Sequence, residues 1–326
     1  MVSLFKRHWF LGLLTVSFGV GYGQAAQFHG MLHFTFIRDL IVFCVMLVMG
    51  ITLPADQIRN GLRRPKPSLL AIFVNTLIVP LLVFPCQWFL PYDLFGGLFV
   101  TAIVPSTLAS ASVWTRRAGG DDAVSMMTTV VTNLGCVLVV PLGIWLALDL
   151  QVQVDPWMQV NKLAILVALP LMMSQLFRWL GAGYWADRNK SRFSLAAQFG
   201  ILSIVFWGAV STGFTSGLQP SQIQSEFTLV SKLILCVVVV HISSLIFGVR
   251  LARRFALNDG QQIAVGFSGS QKTLMVGLQI AIDCGVSILP MILYHFGQLL
   301  IDTLVADRWR ARNALGETSR VPPIRG

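Results

Sequence analysis

The feature that most limits this chain is its series of long apolar stretches. Runs of about 18 or more apolar residues read as bilayer-spanning helices, because lipid offers no partner to a free backbone N–H or C=O. Ten are recognisable, at roughly Trp9–Tyr22, Phe36–Leu53, Ser68–Leu90, Phe95–Thr115, Val124–Leu148, Val160–Leu180, Phe193–Phe214, Phe227–Val249, Gln261–Ile282 and Ser287–Val305. Only 12% of the 326 residues are charged and 55% belong to the apolar set, with a mean hydropathy of +0.72. So few charges cannot coat a water-soluble surface, where about a quarter of residues are usually charged. A soluble enzyme and a disordered chain are both excluded, and an integral membrane protein in a lipid bilayer remains.

The net charge of +10 would suggest nucleic acid in a soluble protein. Placed on ten spans with a cytoplasmic N-terminus, however, 20 of the 24 Lys and Arg residues fall in inner connections or the C-terminal tail. Arg38, Lys162 and Lys232 lie just inside outer helix ends, and Lys272 lies mid-helix. The outer loops around 91–93, 149–155, 216–226 and 283–285 carry no basic residue. The positive-inside rule then sets both termini in the cytoplasm, consistent with a bacterial inner membrane, and no nucleic-acid partner is expected. Lys6, Arg7, the short first run and the small residues of 23–26 also fit a cleavable signal peptide.

Trp88, Trp145, Trp157, Trp179 and Trp185 fall near predicted helix ends and read as interface anchors. The five cysteines are scattered, with neither a disulfide framework nor metal-ligand spacing.

Two spans depart from uniform apolarity. The fourth contains Val104-Pro-Ser-Thr-Leu-Ala-Ser-Ala-Ser-Val-Trp-Thr115, and the ninth Gly266-Phe-Ser-Gly-Ser-Gln-Lys-Thr-Leu274. Such residues at membrane depth break helices beside a cavity, although small residues also serve ordinary helix packing. Interruptions in the fourth of five and the ninth of ten spans point to an inverted-repeat transporter with a midplane site. Lys272 is about eleven residues from both Gln261 and Asp283. A centred lysine costs roughly 2.5–3.5 kcal/mol on insertion scales, so it is expected to face a cavity or a partner. Asn75 and the hydroxyl-rich run from Ser125 to Asn133 add polar groups at depth, and His241 and His295 are candidate proton-linked groups.

With these residues in place, the chain resembles the bile acid:sodium symporter superfamily, in its SBF-like branch. The likeness spans nearly the whole chain. It is most specific at Pro105–Asp121, Ser125–Thr132, Phe267–Leu274 and Tyr294–Leu299. The resemblance implies an all-α membrane protein of ten transmembrane helices in two inverted five-helix repeats (1–150 and 151–306), followed by a basic cytoplasmic tail (307–326). It also implies panel and core domains, with discontinuous helices four and nine crossing at their breaks. In sodium-coupled members the crossing holds two Na+ ions. Ser125, Thr129 and Gln271 match family ligands, and Asn75 stands at the place of a glutamine. Ser112 replaces an asparagine, and Phe267 stands where the family has a sodium-binding glutamate. Asp302 is read as lying near the end of the tenth helix, so no carboxylate is expected at a helix centre.

The expected protein is therefore a non-enzymatic secondary transporter of a small organic anion or amphipath, with Na+ or H+ as candidate coupling ions and no other cofactor. Its expected site is Asn75, Ser110, Ser112, Ser125, Thr129, Ser268, Ser270, Gln271 and Lys272, with the Lys272 ammonium in the charge role of a bound cation. Two other classes compete. Gly266-Phe-Ser-Gly269 with His295 could form the Ser/His dyad of an intramembrane protease using Ser268, and a channel or receptor would use the same helices without alternating access.

Overall fold

The structure, a computed structural model, describes residues 2–63, 65–148, 155–216 and 223–318. Arg64, Arg320, Arg325 and most of two predicted outer loops (149–154 and 217–222) lie outside the described residues, as do the side chains of Lys6 and Arg7. The described chain is almost wholly helical and has no strand.

We number the main helices α1 (Val2–Gly23), α2 (Thr35–Ile51), α3 (Ala55–Arg63), α4 (Pro65–Trp88), α5 (Tyr92–Ile103), α6 (Ser110–Arg117) and α7 (Asp122–Leu148). They continue with α8 (Pro156–Arg188), α9 (Lys190–Ser216), α10 (Ile223–Arg254), α11 (Asp259–Ser270), α12 (Leu274–Asp283) and α13 (Leu289–Thr318). Among the described residues, six helices are long and apolar enough to cross a bilayer (α4, α7, α8, α9, α10 and α13). Helix α2 with the bent segment Ala25–His33, at 82°, makes a seventh candidate. Large apolar side chains such as Leu138, Leu146, Trp179 and Leu304 stay exposed on the helix exteriors. Water would not tolerate apolar surface on that scale, and lipid satisfies it.

The two polar stretches singled out in the sequence are the places where the backbone leaves the helix. Between α5 and α6, Pro105 presses its predecessor out of the helical region, and Val104 adopts φ −71°, ψ 158°. Between α11 and α12, Gln271 is likewise extended, at φ −75°, ψ 145°. The breaks are tied together, with Thr273 N donating to Pro105 O at 2.9 Å.

Helix α13 runs unbroken through 306, so the boundary expected there falls inside a helix. Arg117 pairs with Asp307 beyond it, at 2.7 and 2.8 Å. This extension also changes the standing of Asp302. It is not close to a helix end, as the apolar run suggested, but sixteen residues before the end of α13 and fully buried.

Helix α5, which leads into the first break, packs closely against the start of α13 at Gly97, where an added Cβ would collide with the backbone oxygen of Ser287 and meet Pro290 at about 3.0 Å. Gly97→Val is therefore expected to destabilise the protein by about 1–3 kcal/mol, the usual range for overpacking. Thermal unfolding of the detergent-solubilised protein would check this.

Candidate functional site

Lys272 sits where the breaks meet, with no exposed surface, and its ammonium has three acceptors. Nζ donates to Asn75 O at 2.6 Å, to Val104 O at 3.0 Å and to Asn75 Oδ1 at 3.2 Å. Two of these oxygens are free because of prolines. Val104 O is released by the turn that Pro105 imposes. Asn75 lies in a π-helical turn of α4 over Val74–Ile78, closed by Val79 N on Val74 O. In that register the next donor would come from residue 80, and Pro80 has no N–H.

The other groups freed by the second break also find partners within the protein. Asn75 Nδ2 reaches the carbonyls of Ser268 (3.4 Å), Gly269 (3.2 Å) and Gln271 (2.9 Å). Tyr294 OH donates to Ser270 O at 2.9 Å. The Gln298 amide accepts from Lys272 N at 2.9 Å and donates to Lys272 O at 3.1 Å. Helix ends buried without water need this complete pairing.

At the first break, Thr129 Oγ1 donates to Thr107 O at 3.0 Å and Asn133 Nδ2 to Ser106 O at 2.9 Å. Thr107 Oγ1 caps α6 by accepting from Ala111 N at 2.9 Å.

Gln271 links the breaks to a buried carboxylate. Its Oε1 accepts from Thr107 Oγ1 (2.7 Å) and Ser110 Oγ (2.8 Å), and its Nε2 donates to Asp302 Oδ2. The other carboxylate oxygen of Asp302 lies 2.9 Å from His241 Nε2. Both residues are fully buried, and His241 Nδ1 has no hydrogen-bond partner among the described residues. The expectation that no carboxylate lies at a helix centre is thus overturned, since Asp302 falls near the middle of α13.

A crevice of about 540 Å³ reaches these breaks from one side. Thr107, Ser110, Ser112, Thr273 and His295 line its polar wall. Trp9, Phe10, Met49, Phe193 and Leu299 are among its apolar residues, and Arg116 and Lys190 stand at its exposed charged end. Volume and mixed lining suit a small organic molecule.

The structure distributes the sequence candidates over three places. Asn75, Gln271 and Lys272 form the junction. Ser110 and Ser112 face the crevice, and Ser112 also donates to Ala109 O at 3.2 Å. Ser125 shares a 2.7 Å hydrogen bond with Thr115, away from Gln271's partners, while Thr129 serves the first break. Ser268 and Ser270 spend their hydroxyls on the carbonyls of Ala264 and Phe267 in α11. Ser268 and His295 are not bonded to each other, since the imidazole Nδ1 lies 3.0 Å from Gln298 Nε2. Thr107, Tyr294, Gln298 and Asp302 were not among the candidates. His295, Gln298 and Asp302 follow i, i+3, i+7 spacing on α13, a polar stripe that would have revealed the last two.

A buried polar junction between two broken membrane helices, beside a crevice of small-molecule size, is the architecture of a membrane transporter. Residues 8–311 match the SBF-like CPA transporter family, and the chain belongs to it. It is 26% identical over 289 residues to "Putative symporter YfeH" of Escherichia coli (strain K12), covering 84% of this chain and 85% of that protein. Identity is also 26%, over 290 residues, to "Probable sodium/metabolite cotransporter BASS4, chloroplastic" of Oryza sativa subsp. indica (83% and 68% covered). It is 21% over 333 residues to "Sodium/bile acid cotransporter 7" of Danio rerio, with 94% of each chain covered.

Replacing Asn75 by Leu strands the carbonyls of Ser268, Gly269 and Gln271 and removes one acceptor of Lys272. The expected loss is about 2–5 kcal/mol, as for other buried polar groups left without partners, read as a lowered unfolding temperature.

Proposed function

We propose that this protein is a secondary carrier of a small organic anion or amphipath, working by alternating access, in which the Lys272 ammonium fills the place of a bound coupling cation. The observation that carries the reading is its oxygen cage: two backbone carbonyls and one amide oxygen, set where the broken helices meet. Such an oxygen set is the kind a hard cation takes.

In this reading the chain has ten spans in two inverted five-helix repeats. The broken spans are α5 with α6 and α11 with α12, and they belong to a core that moves against a panel containing α1, α2, α8 and α9. Both termini are cytoplasmic by the positive-inside rule. The crevice then opens to the cytoplasm, since Arg116 and Lys190 belong to inner connections. Substrate enters beside Thr107, Ser110 and Ser112, while Gln271 couples that wall to Asp302 and His241, the pair through which a proton could be carried.

A sodium-coupled reading is favoured by the names of the rice and zebrafish relatives. It would place Na+ near Ser125, Thr129 and Gln271, and Asp302 supplies a buried carboxylate bonded to Gln271.

Titration with Na+ and K+ separates the two. Under the caged-ammonium reading, wild-type stability and proteoliposome uptake are indifferent to Na+. Lys272→Ala is destabilised and gains a Na+-specific stabilisation, about 1.4 kcal/mol at ten times the Kd. Sodium-dependent uptake by the wild type that persists unchanged in Lys272→Ala would overturn the assignment. A thermal-shift series of organic anions on the wild type tests the cargo class; no stabilisation by any of them would count against it.

A further inference from the structure

Arg38 and Lys162, two of the cations that the positive-inside rule leaves near outer helix ends, meet at a charge cluster far from the crevice. Arg38 Nη2 donates to Asp283 Oδ1 at 2.9 Å, and Lys162 Nζ lies 2.9 Å from Asp283 Oδ1 and 2.8 Å from its Oδ2. Asp39 is a weaker partner of both, at 3.3 Å from Arg38 and 3.7 Å from Lys162. Gln279 Nε2 braces both carboxylates, at 3.0 Å from Asp39 and 3.1 Å from Asp283. The cluster is largely shielded, with side-chain exposures of 7% for Arg38, 12% for Asp283, 25% for Lys162 and 28% for Asp39. Shielded charges are expensive unless paired, so each partner depends on the others.

Position within the helices gives the cluster its meaning. Helices α2 and α12 both run from the cluster to the crevice: Met49 of α2 and Leu274 of α12 line the crevice, whereas Arg38 and Asp283 lie at the opposite helix ends. At 1.5 Å per residue those ends are about 13–17 Å away from the crevice residues. The cations belong to α2 and α8, and the carboxylate that bridges them belongs to α12, the half-helix that follows the second break. If α12 withdraws, Asp39 is left facing two cations, and one positive charge has no partner.

We infer that Arg38 and Lys162 form a carboxylate seat at the end of the protein opposite the crevice, occupied by Asp283 while that end is closed and by the anionic group of the cargo when it opens. This rests on the alternating-access reading above. The ligand class is an organic carboxylate or a similarly small single-charged anion, bridged by a guanidinium and an ammonium as Asp283 is now. Gate and entry site are then the same two residues, and the chain's own carboxylate competes with the cargo.

Formate is a suitable probe, because it replaces the carboxylate that Asp283→Ala removes. Titrated against chloride at constant ionic strength, formate should raise the unfolding temperature of purified Asp283→Ala by several degrees, restoring much of what the substitution lost. It should leave the wild type unmoved, and the rescue should vanish in Asp283→Ala/Lys162→Gln. Equal formate response in all three proteins would overturn the seat.

Should Asp283→Ala not fold, the isosteric Asp283→Asn provides a second measurement. Spin labels are placed at Tyr92→Cys and Trp157→Cys in a background without the native cysteines. A longer-distance population should appear in the Asp283→Asn protein and be absent with the native aspartate; identical distributions would overturn the gate. A second label pair, Val113→Cys and Leu195→Cys, flanks the crevice. Opening at the cluster without narrowing at the crevice would leave the seat standing and overturn the alternating-access reading instead.

Discussion

Everything at the centre of this protein depends on one requirement: backbone groups freed by a helix break in an apolar interior must find partners inside the protein. Two helices break at the same place, and the exposed carbonyls of one would otherwise face those of the other. A single ammonium and a single carboxamide, from Lys272 and Asn75, reach four of these carbonyls between them, those of Val104, Ser268, Gly269 and Gln271. Prolines prepare the acceptors. Pro105 turns Val104 outward, and Pro80 leaves Asn75 O without a helical donor, so two residues that weaken helices create the seat that holds the cation.

The charges of the interior follow from the same economy of partners. An isolated buried ammonium or carboxylate would be prohibitively costly. Lys272 is held by neutral oxygens, whereas Asp302 accepts from Gln271 and is paired with His241. The two ions are not in direct contact. Gln271, whose own backbone forms the second break and which adjoins Lys272 in sequence, connects them, and its carbonyl oxygen faces Thr107 and Ser110 at the crevice. In the carrier proposed above, a change in what occupies the crevice acts on Thr107 and Ser110 and reaches the carboxylate through Gln271.

Much of this was legible in the sequence, for a physical reason. Ser, Thr, Gly and Pro in the middle of an apolar run violate the rule for a lipid-facing helix, so both interruptions stand out. A lysine eleven residues from either end of its span stands out equally. Its partners did not, because they come from 197 and 168 residues away. Asp302 was misjudged because the end of an apolar run is not the end of a helix: α13 continues to Thr318 in polar residues, and depth has to be judged from the helix. The polar face His295, Gln298 and Asp302 carried the information, at helical spacing. Arg38 and Lys162 were read as a matter of topology alone, since nothing local predicts that Asp283 bridges them.

Helix α12 joins these observations mechanically. Thr273, directly before its first residue, has its N–H fastened to Pro105 in the other break, and Asp283 at its far end has its carboxylate fastened to Arg38 and Lys162. A ten-residue helix buried along its length bends little, so its two ends move as one body. In the carrier proposed above, a shift at the breaks that reshapes the crevice must also load the ion pairs about 15 Å away. In the same carrier, the pairs conversely hold the breaks in the arrangement in which the crevice is open. The apolar body of the helix carries no specificity of its own; it makes a polar event at one end conditional on a charged one at the other.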